Sequence, residues 1–308
     1  MYFICVDGGG TKTQFALYSN WGTQIDVKTL PTCHILQTTE EKAIKILQQG
    51  IFLLLKGREI NESDLVLSLG LGGYGSSNNR GKIEKIVQLV TQNRYPYFLT
   101  NDAEIALLGA HNGQRGAILI AGTGSICLFF DGEHTIRSGG WGYLFGDEGS
   151  AFWIGQKMLN RFAKEADNRT AKTEIYTYLM RKYQLTNPHD ILDELISTNK
   201  NSRTIIGNLA KDVVSMANQG SQESVEIIKD AAAELASLVN ESLSDYDSVN
   251  LAIYGGLWKA GEILLNYFSE SLDSHIKVCE PKGDACRGAF IYAKKQLLVR
   301  GSYEQRTV

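Results

Sequence analysis

The sequence lacks the features of several protein classes. No apolar run approaches the length that spans a bilayer, since the nearest, at residues 51–55, is far too short. The chain enters an apolar strand pattern at once, with no basic stretch before it, which argues against a secretory signal peptide. Its net charge is −3 at pH 7, so it lacks the basic excess that nucleic acids select. We therefore expect a cytoplasmic protein that binds neither membrane nor nucleic acid.

Motifs for metal binding and covalent catalysis are also missing. The five cysteines include no C-x-x-C pair, and the five histidines are scattered without the spacing of a zinc site. Neither a G-x-S-x-G nucleophile elbow nor a G-x-x-x-x-G-K-[ST] phosphate loop occurs. Buried, reduced thiols are the expected state of the cysteines. Chemistry through a structural zinc or a covalent intermediate therefore finds no support.

Glycine, by contrast, is abundant, and its first cluster sits in a strand pattern. Residues 2–6 and 14–18 predict two strands, with the glycines at 8–10 in the turn between them. Glycines there permit positive φ and let an anion reach the backbone N–H groups, which the side chains of residues 11–13 supplement. Asp7 at the strand end can hold a hydrated Mg²⁺ beside a phosphate. The same pattern also fits a plain hairpin turn with an incidental acid.

A second glycine cluster repeats this arrangement. Residues 116–121 and 126–131 predict strands on either side of Gly122-Thr123-Gly124-Ser125, which suits another phosphate of the same nucleotide. Helices are predicted from the Thr39 cap to residue 56, near 82–92, in a block over 149–246 with Ser221 as a cap, and from 284 on. This order predicts two α/β domains facing one cleft, residues 1–114 and residues 115–308 with a helical insertion, and allows the last helix to pack back on the first domain.

The triplet Gly70, Gly72 and Gly75 offers a competing interpretation. Its G-x-G-x-x-G spacing after a strand matches the dinucleotide fingerprint, which would indicate a nicotinamide oxidoreductase. However, no acidic residue closes a second strand about twenty positions on. The next helix is also predicted to start late, near residue 82. We therefore favour the two phosphate-type loops over this fingerprint.

Asp102 is the candidate general base. It follows the strand predicted at 97–100, so its carboxylate is expected at a strand end, where ligands of α/β proteins bind. A carboxylate there can accept the proton of a hydroxyl that attacks a γ-phosphorus. The alternative is a helix N-cap, a position that both Asn101 and Asp102 suit.

Residues 139–150 form the densest cluster of glycines, aromatics and acids. This composition makes a poor helix and a poor strand, and it predicts a close-fitting loop. Trp141 offers an apolar face to a sugar ring, and Asp147 can accept hydrogen bonds from sugar hydroxyls. The alternative is that Asp147 and Glu148 form a capping pair before the helix predicted at 151–166.

Together these motifs resemble a known family. The stretches Asp7-Gly-Gly-Gly-Thr-Lys-Thr, Thr100-Asn-Asp-Ala, Ala121-Gly-Thr-Gly-Ser, Gly139-Gly-Trp-Gly through Gly146-Asp-Glu-Gly-Ser, and Gly255-Gly-Leu-Trp-Lys resemble the N-acetylglucosamine kinases. These kinases belong to the BadF/BadG/BcrA/BcrD group of the actin/hsp70/sugar-kinase superfamily. The resemblance implies two ribonuclease-H-like (actin-like ATPase) domains that close on ATP, Mg²⁺ and an amino sugar.

The resemblance also implies which residues form the site. Asp102 is the base, and Asp7 reaches Mg²⁺ through water. The nucleotide-side residues, which hold phosphates or line the adenosine site, are Asp7, Gly9, Gly10, Thr11, Lys12, Gly122, Thr123, Gly124, Ala217, Gly255 and Gly256. The sugar-side residues are Thr32, Cys33, His34, Ser125, Ile126, Gly140, Trp141, Gly142 and Asp147. A homodimer is compatible with this family.

Two departures from the family concern the sugar. Animal N-acetylglucosamine kinases have Asn where this chain has Cys33 and Ile126, so two sugar-side amides are missing. The sequence therefore predicts an ATP-dependent sugar kinase acting on a hydroxyl, the 6-OH, of N-acetylglucosamine, glucosamine or a plain hexose. The alternative is an ATPase activator of a radical 2-hydroxyacyl-CoA dehydratase, a partner-binding switch with the same fold and phosphate loops.

Overall fold

The computed structural model describes residues 1–196 and 202–304. The chain divides into two compact units. Unit 1 comprises Met1–Gly116, Phe130–Thr135 and the chain from Glu280 on, and unit 2 comprises Ala117–Phe129 and Ile136–Cys279. Within the described residues, none of the helices is long and apolar enough to cross a membrane.

Unit 1 is built on a five-stranded sheet of order β3-β2-β1-β4-β5. Its strands β1 and β2 pair antiparallel, as do β2 and β3, whereas β4 pairs parallel with both β1 and β5. Its elements are β1 (Tyr2–Gly8), β2 (Lys12–Ser19), β3 (Gln24–Pro31), α1 (Glu40–Leu55), β4 (Leu65–Leu71), α2 (Ser77–Thr91), β5 (Tyr97–Thr100), α3 (Asp102–Ala110) and, at the far end of the chain, Ala285–Glu304.

The alternation of side chains along β1 explains why helices cover both faces of this sheet. Ile4 and Val6 lie in a buried cluster with residues of α1 and α2. Phe3 and Cys5 point to the opposite face, into a cluster with Ile105 of α3 and the C-terminal helix. Thr39 caps α1 as predicted, since its hydroxyl accepts a hydrogen bond from Lys42 N at 3.3 Å. The carboxyl ends of β1, β4 and β5 meet at one edge, because these three strands run parallel.

Unit 2 contains a second five-stranded sheet whose order repeats that of the first. The order is β10-β9-β6-β7-β8, so each strand occupies the place of the strand five numbers earlier. Its elements are β6 (Gly116–Ala121), β7 (Ser125–Phe130), β8 (Thr135–Gly139), α4 (Ala151–Ala166), α5 (Glu174–Lys182), α6 (Ile191–Ile196), α7 (Ser202–Asn218), α8 (Gln222–Leu243), β9 (Val249–Tyr254), α9 (Glu262–Glu270) and β10 (Ile276–Cys279); α10 is the C-terminal helix Ala285–Glu304. The predicted mixed α/β repeat is therefore present as two matching sheets.

Three local expectations need correction. Helix α2 begins at Ser77, not near residue 82, so the late helix start does not argue against the glycine fingerprint. None of the glycines at 8–10 adopts positive φ, and their turn is built without left-handed backbone. Ser221 stands at the N-cap of α8, but its hydroxyl forms no capping bond and has no hydrogen-bond partner in the described part of the chain.

Candidate active site

Asp102 lies at the carboxyl edge of the first sheet, in the first turn of α3. The N-cap of this helix is Asn101, whose side chain accepts a hydrogen bond from Glu104 N at 2.7 Å. The capping role is thereby filled, and the Asp102 carboxylate accepts a local bond from Ala103 N at 3.0 Å. Asp102 is half-buried, and this burial raises the pKa of its carboxyl above the usual value. A half-buried carboxylate that does not cap its helix is suited to accept a proton.

His34 and Asp102 meet over Gly72. A Cβ at Gly72 would lie 2.9 Å from His34 Nε2 and 3.2 Å from Asp102 Oδ2, so only glycine leaves room for both side chains. His34 Nδ1 accepts a hydrogen bond from Leu36 N at 3.2 Å, which places the proton of the neutral ring on Nε2. Burial lowers the pKa of His34, which favours this neutral form. The second glycine of the fingerprint therefore has a packing reason unrelated to a dinucleotide.

Asp7 lies next to this pair at the end of β1. Burial, followed by the negative charges of Asp102 and Asp284, raises the pKa of Asp7 to about 7, and Lys12 opposes this shift. A carboxyl whose pKa is raised by neighbouring negative charges is an electrostatic setting in which a divalent cation is favoured, so Asp7 and its surroundings fit Mg²⁺. No group of three or more acidic, histidine or cysteine side chains is placed to hold a metal in the described ranges. Water and phosphate oxygens would therefore complete the coordination.

The first glycine turn is shaped by what lies beneath it. A Cβ at Gly8 would lie 2.5 Å from Leu71 Cδ2 and 3.0 Å from Cys33 Sγ, so packing and not positive φ requires this glycine. The segment that contains Cys33 is tied to the turn, because Thr32 Oγ1 donates to Gly9 O at 2.8 Å. Cys33 N donates to Thr13 Oγ1 at 2.9 Å. The predicted residues 32–34 are thus brought beside the loop at 8–12.

The side chains on top of this turn point outwards. Gly10, Thr11 and Lys12 are exposed, so their donors are open to a phosphate. A Cβ at Gly10 would meet the Gln37 side chain, whose Nε2 is 3.1 Å away. The turn therefore presents donors above and a packed base below.

The second glycine turn lies in unit 2 and has a different support. Gly122 N donates to Gly124 O at 2.9 Å, which closes the turn, and Thr123 is exposed at its tip. Gly255 adopts φ 111° and lies so close to Ala121 O that a side chain could not fit. The backbone N of Gly256 is 3.9 Å from the Cβ position of Gly122. The structure thus gathers the second turn and the Gly255-Gly256 pair into one cluster.

Ala217 belongs to the helix beside that cluster. A Cβ at Gly261 would lie 3.0 Å from Val214 Cγ1 and 3.4 Å from Asn218 Nδ2, which places the end of α7 next to the segment that follows Gly256. The Ala217 side chain itself is 5 % exposed and packs in the core of unit 2. A contact between Ala217 and adenosine stays a prediction.

The loop at 139–150 is fastened to the second turn. Gly140 N donates to Ser125 O at 2.9 Å, and Ser125 Oγ donates to Glu148 O at 2.7 Å. Ile126 Cδ1 is 2.9 Å from the Cβ position of Gly140. The N-cap of α4 is Ser150, whose Oγ accepts from Trp153 N at 3.3 Å, so the acidic pair before it does not cap the helix. The predicted sugar-side residues of unit 2 therefore lie together.

Asp147 is the buried acid of this loop. Its φ is +61°, and only 4 % of the residue is exposed. Its Oδ2 accepts a hydrogen bond from Arg203 Nη2 at 2.6 Å. The pair rests on Gly124, whose Cβ would lie 2.6 Å from Asp147 Oδ2 and 2.8 Å from Arg203 Nη2. Gly124 is thus needed to leave room for this ion pair.

Trp141 stands at the other end of the same loop and is 71 % exposed, so its ring is open to a ligand. Gly142 is half-buried and adopts φ 91°. The neighbouring Leu144 and Phe145 are exposed as well. The loop therefore combines one buried charged pair with an open aromatic edge.

Sequence reasoning missed two charged residues near these loops. Asp284 accepts from Arg287 N at 2.8 Å and from Gln14 Nε2 at 3.1 Å, and its charge acts on Asp7. Asp284 could have been found from the sequence, because it stands at the start of the last predicted helix. Arg203 lies in the helical block, 56 residues from Asp147, and no local pattern marks it.

Comparisons with known proteins support the resemblance. The N-acetylmuramic acid/N-acetylglucosamine kinase of Clostridium acetobutylicum is 30% identical over 96% of this chain and 99% of the relative. The N-acetyl-D-glucosamine kinase of Dictyostelium discoideum is 29% identical over 92% of this chain and 94% of the relative. A crystal structure of a presumed N-acetylglucosamine kinase from Chromobacterium violaceum superposes with a TM-score of 0.68, covering 94% of this chain and 97% of that one at 23% identity. The fold is therefore that of these sugar kinases.

The family model completes the assignment. It matches residues 4–293, a range that contains both glycine turns, Asp102, the loop at 139–150 and the Gly255-Gly256 pair. The predicted resemblance is thereby confirmed: this chain belongs to the BadF/BadG/BcrA/BcrD ATPase family.

Proposed function

We propose that this chain is an ATP-dependent amino-sugar kinase, which transfers the γ-phosphate of ATP to the 6-hydroxyl of a sugar such as N-acetylglucosamine or glucosamine. One observation carries the chemistry: Asp102 does not cap its helix, and its carboxylate lies half-buried beside His34 and next to the turn at 8–12. The names of the two relatives, both kinases of N-acetylated amino sugars, support the substrate class.

In this proposal Asp102 accepts the proton of the sugar hydroxyl as its oxygen attacks the γ-phosphorus. The new O–P bond forms while the bond from the γ-phosphorus to the β–γ bridging oxygen breaks, and ADP leaves with the bridging oxygen. The exposed donors of Thr11, Lys12 and Thr123 hold the phosphates. Mg²⁺, held through water by Asp7, would supply neutralisation of the phosphate charge. His34, whose ring is neutral, lies beside Asp102 and therefore on the side from which the carboxylate approaches the sugar hydroxyl.

The remaining predicted residues divide between the two ligands. On the nucleotide side, Gly9, Gly10, Gly122 and Gly124 leave room for phosphates, and Ala217, Gly255 and Gly256 line the adenosine site. On the sugar side, the residues are Thr32, Cys33, His34, Ser125, Ile126, Gly140, Trp141, Gly142 and Asp147. We propose that the two ribonuclease-H-like domains are residues 1–114 and 115–308. None of the five cysteines forms a disulfide, which supports a place in the cytoplasm.

A coupled assay of ADP release tests the function. ATP and Mg²⁺ are supplied with glucosamine, N-acetylglucosamine, glucose or N-acetylmuramic acid, and ATP alone serves as the blank. We expect release above the blank with at least one amino sugar, and phosphorus NMR should locate the new phosphate at O6. Release that does not depend on any of the sugars would contradict the kinase.

The dehydratase-activator alternative requires an iron–sulfur cluster bound by cysteines. Four of the five cysteines are buried, and no cluster-like group of ligands is placed among the described residues. Protein purified without oxygen should therefore be colourless and free of iron. A brown, iron-containing preparation that hydrolyses ATP without sugar would favour the alternative.

A further inference from the structure

Arg203 is a charged side chain that contacts the loop at 139–150 and to which no role is yet given. It lies in the first turn of α7, and its guanidinium carbon is 5.3 Å from the centre of the Tyr143 ring. Its Nη2 is committed to Asp147 at 2.6 Å. Its Nε is buried and has no hydrogen-bond partner among the described residues. A buried N–H of a charged group that lacks an acceptor is costly, so an acceptor from outside the described residues, such as a ligand oxygen, would stabilise it.

The surroundings indicate which ligand would supply that acceptor. The guanidinium is held by Asp147 and Tyr143, two residues of the loop at 139–150, whose proposed ligand is the sugar. The guanidinium also lies against Gly124 of the nucleotide side, whose Cβ position is 2.8 Å from Nη2, so the KM for ATP must be measured beside that for the sugar. The pair also consumes one carboxylate oxygen of Asp147 and leaves the other for a hydroxyl.

We propose that Arg203 is a specificity-determining residue on the sugar side of the site, where it fixes Asp147 and offers its Nε–H to an oxygen of the bound sugar. This inference rests on the proposed kinase function. The planar fork of the guanidinium serves both partners at once, one edge for the carboxylate and the Nε–H for the sugar. A lysine could replace only the charge, because its ammonium is a point donor.

The test uses Arg203→Lys in the full chain. Lysine keeps a cation opposite Asp147 and above Tyr143, so the melting temperature should stay near that of the wild type. The KM for the best of the four sugars should rise about tenfold, the size expected for one charge-assisted hydrogen bond. The KM for ATP should change less than twofold. Arg169→Lys is the matched control, since Arg169 pairs with Asp167 at 2.9 Å on the surface of the same unit.

A second pair of variants guards against a folding defect at Arg203. Tyr143→Leu removes the ring that supports the guanidinium and should raise the sugar KM about two- to fivefold. Tyr143→Phe keeps the ring, so its sugar KM should rise less than that of Tyr143→Leu. Both leave Arg203 and Asp147 in place.

The outcomes separate this inference from the function on which it rests. Calorimetric titration of sugar without ATP reads sugar contact even where phosphoryl transfer is slow. Normal sugar affinity in Arg203→Lys would overturn the inference, and so would an effect confined to the KM for ATP. A wild type that binds the sugar but releases no ADP would instead overturn the kinase while leaving sugar contact at Arg203 measurable.

Discussion

The two sheets share one strand order and differ in the charges at their carboxyl ends. The first sheet has Asp7 at the end of β1 and Asp102 just after β5, and both carboxyls have raised pKa values because they are buried. In the second sheet the neutral Ala121 ends β6, and the acid that follows β10, Glu280, is exposed and stands one position earlier than Asp102 does after β5. The repeat therefore duplicates the scaffold without duplicating the acids, and proton transfer and metal binding are expected from the first sheet alone.

The two glycine turns differ in the same way. Gly8 is required by Leu71 and Cys33 beneath it, so the first turn is a packed base under exposed donors. Gly124 is required by an ion pair, Asp147 with Arg203, which covers the second turn from the side. The first turn thus has exposed donors over a packed base, whereas the second turn is joined to the loop at 139–150.

The largest effect is expected from removing the acid that only the first sheet has. Asp102→Asn keeps the shape of the side chain and should lower kcat by about two to four orders of magnitude, the usual contribution of a general base. ATP affinity should persist. Glu280→Gln, which changes the exposed acid just after β10, is the control and should leave kcat unchanged. Steady-state kinetics with both variants test the asymmetry, and equal losses in the two would contradict it.

A somewhat smaller effect is expected from closing the first turn to phosphate. The backbone of Gly10 is not left-handed, and a new Cβ there would meet only the flexible end of Gln37. Gly10→Val should therefore fold normally while its methyl groups occupy the space for a phosphate, and ATP binding should fall below detection in calorimetry with Mg²⁺ present.

Gly75→Val is the matched control for this substitution. Gly75 also lacks positive φ, and a Cβ there would meet nothing within 4 Å. Its ATP affinity should equal that of the wild type. Unchanged affinity in Gly10→Val would remove the first turn from the nucleotide site.

Much of the fold was predictable because local patterns determine it. The predicted bounds of Tyr97–Thr100, Gly116–Ala121 and Ala151–Ala166 agree with the structure. The start of α2 was not predictable, since its first turn, Ser77-Asn78-Asn79-Arg80-Gly81, is polar and carries no helical periodicity.

Residues of the candidate site could be predicted only where they belong to a local sequence motif. Asp102 follows its strand directly, whereas the choice between Asn101 and Asp102 as the cap needed coordinates. The pairing of Arg203 with Asp147 joins residues far apart in the sequence, and long-range pairing leaves no local signal. The reason for glycine at 72, contact with His34 and Asp102, is likewise a tertiary one.

A moderate effect on sugar preference is expected at Cys33 and Ile126. These are the two sugar-side positions, one in each half of the chain, where this sequence lacks an amide side chain. Without these amides, selection for the N-acetyl group should be weak, so glucosamine or glucose should rival N-acetylglucosamine in kcat/KM. Ile126→Asn restores one amide and should shift the ratio of kcat/KM towards the acetylated sugar about two- to tenfold, the value of one hydrogen bond. Asparagine is smaller than isoleucine, so it can fit beside Gly140.

Ile126→Leu serves as the control for a change of shape without an amide, and its ratio should stay that of the wild type. A wild type that already prefers N-acetylglucosamine about a hundredfold over glucosamine and glucose would show that the acetamido group is recognised by other residues.

The smallest effect concerns the pH dependence of the first sheet's acid. Burial raises the pKa of Asp102, and His34 opposes this rise. The carboxylate must be ionised to accept a proton, so kcat/KM should fall as the pH drops through the pKa of Asp102. This acidic limb of the pH profile should lie at a higher pH than the pKa of an ordinary carboxyl. His34→Gln removes the opposing influence, so the pKa of Asp102 should rise and the limb should move to higher pH. His134→Gln, at an exposed histidine, should leave the limb in place. If the limb moves to lower pH in His34→Gln, this prediction is contradicted. His34 would then act on Asp102 chiefly by burying it, because the smaller glutamine would admit water and lower the pKa of the carboxyl.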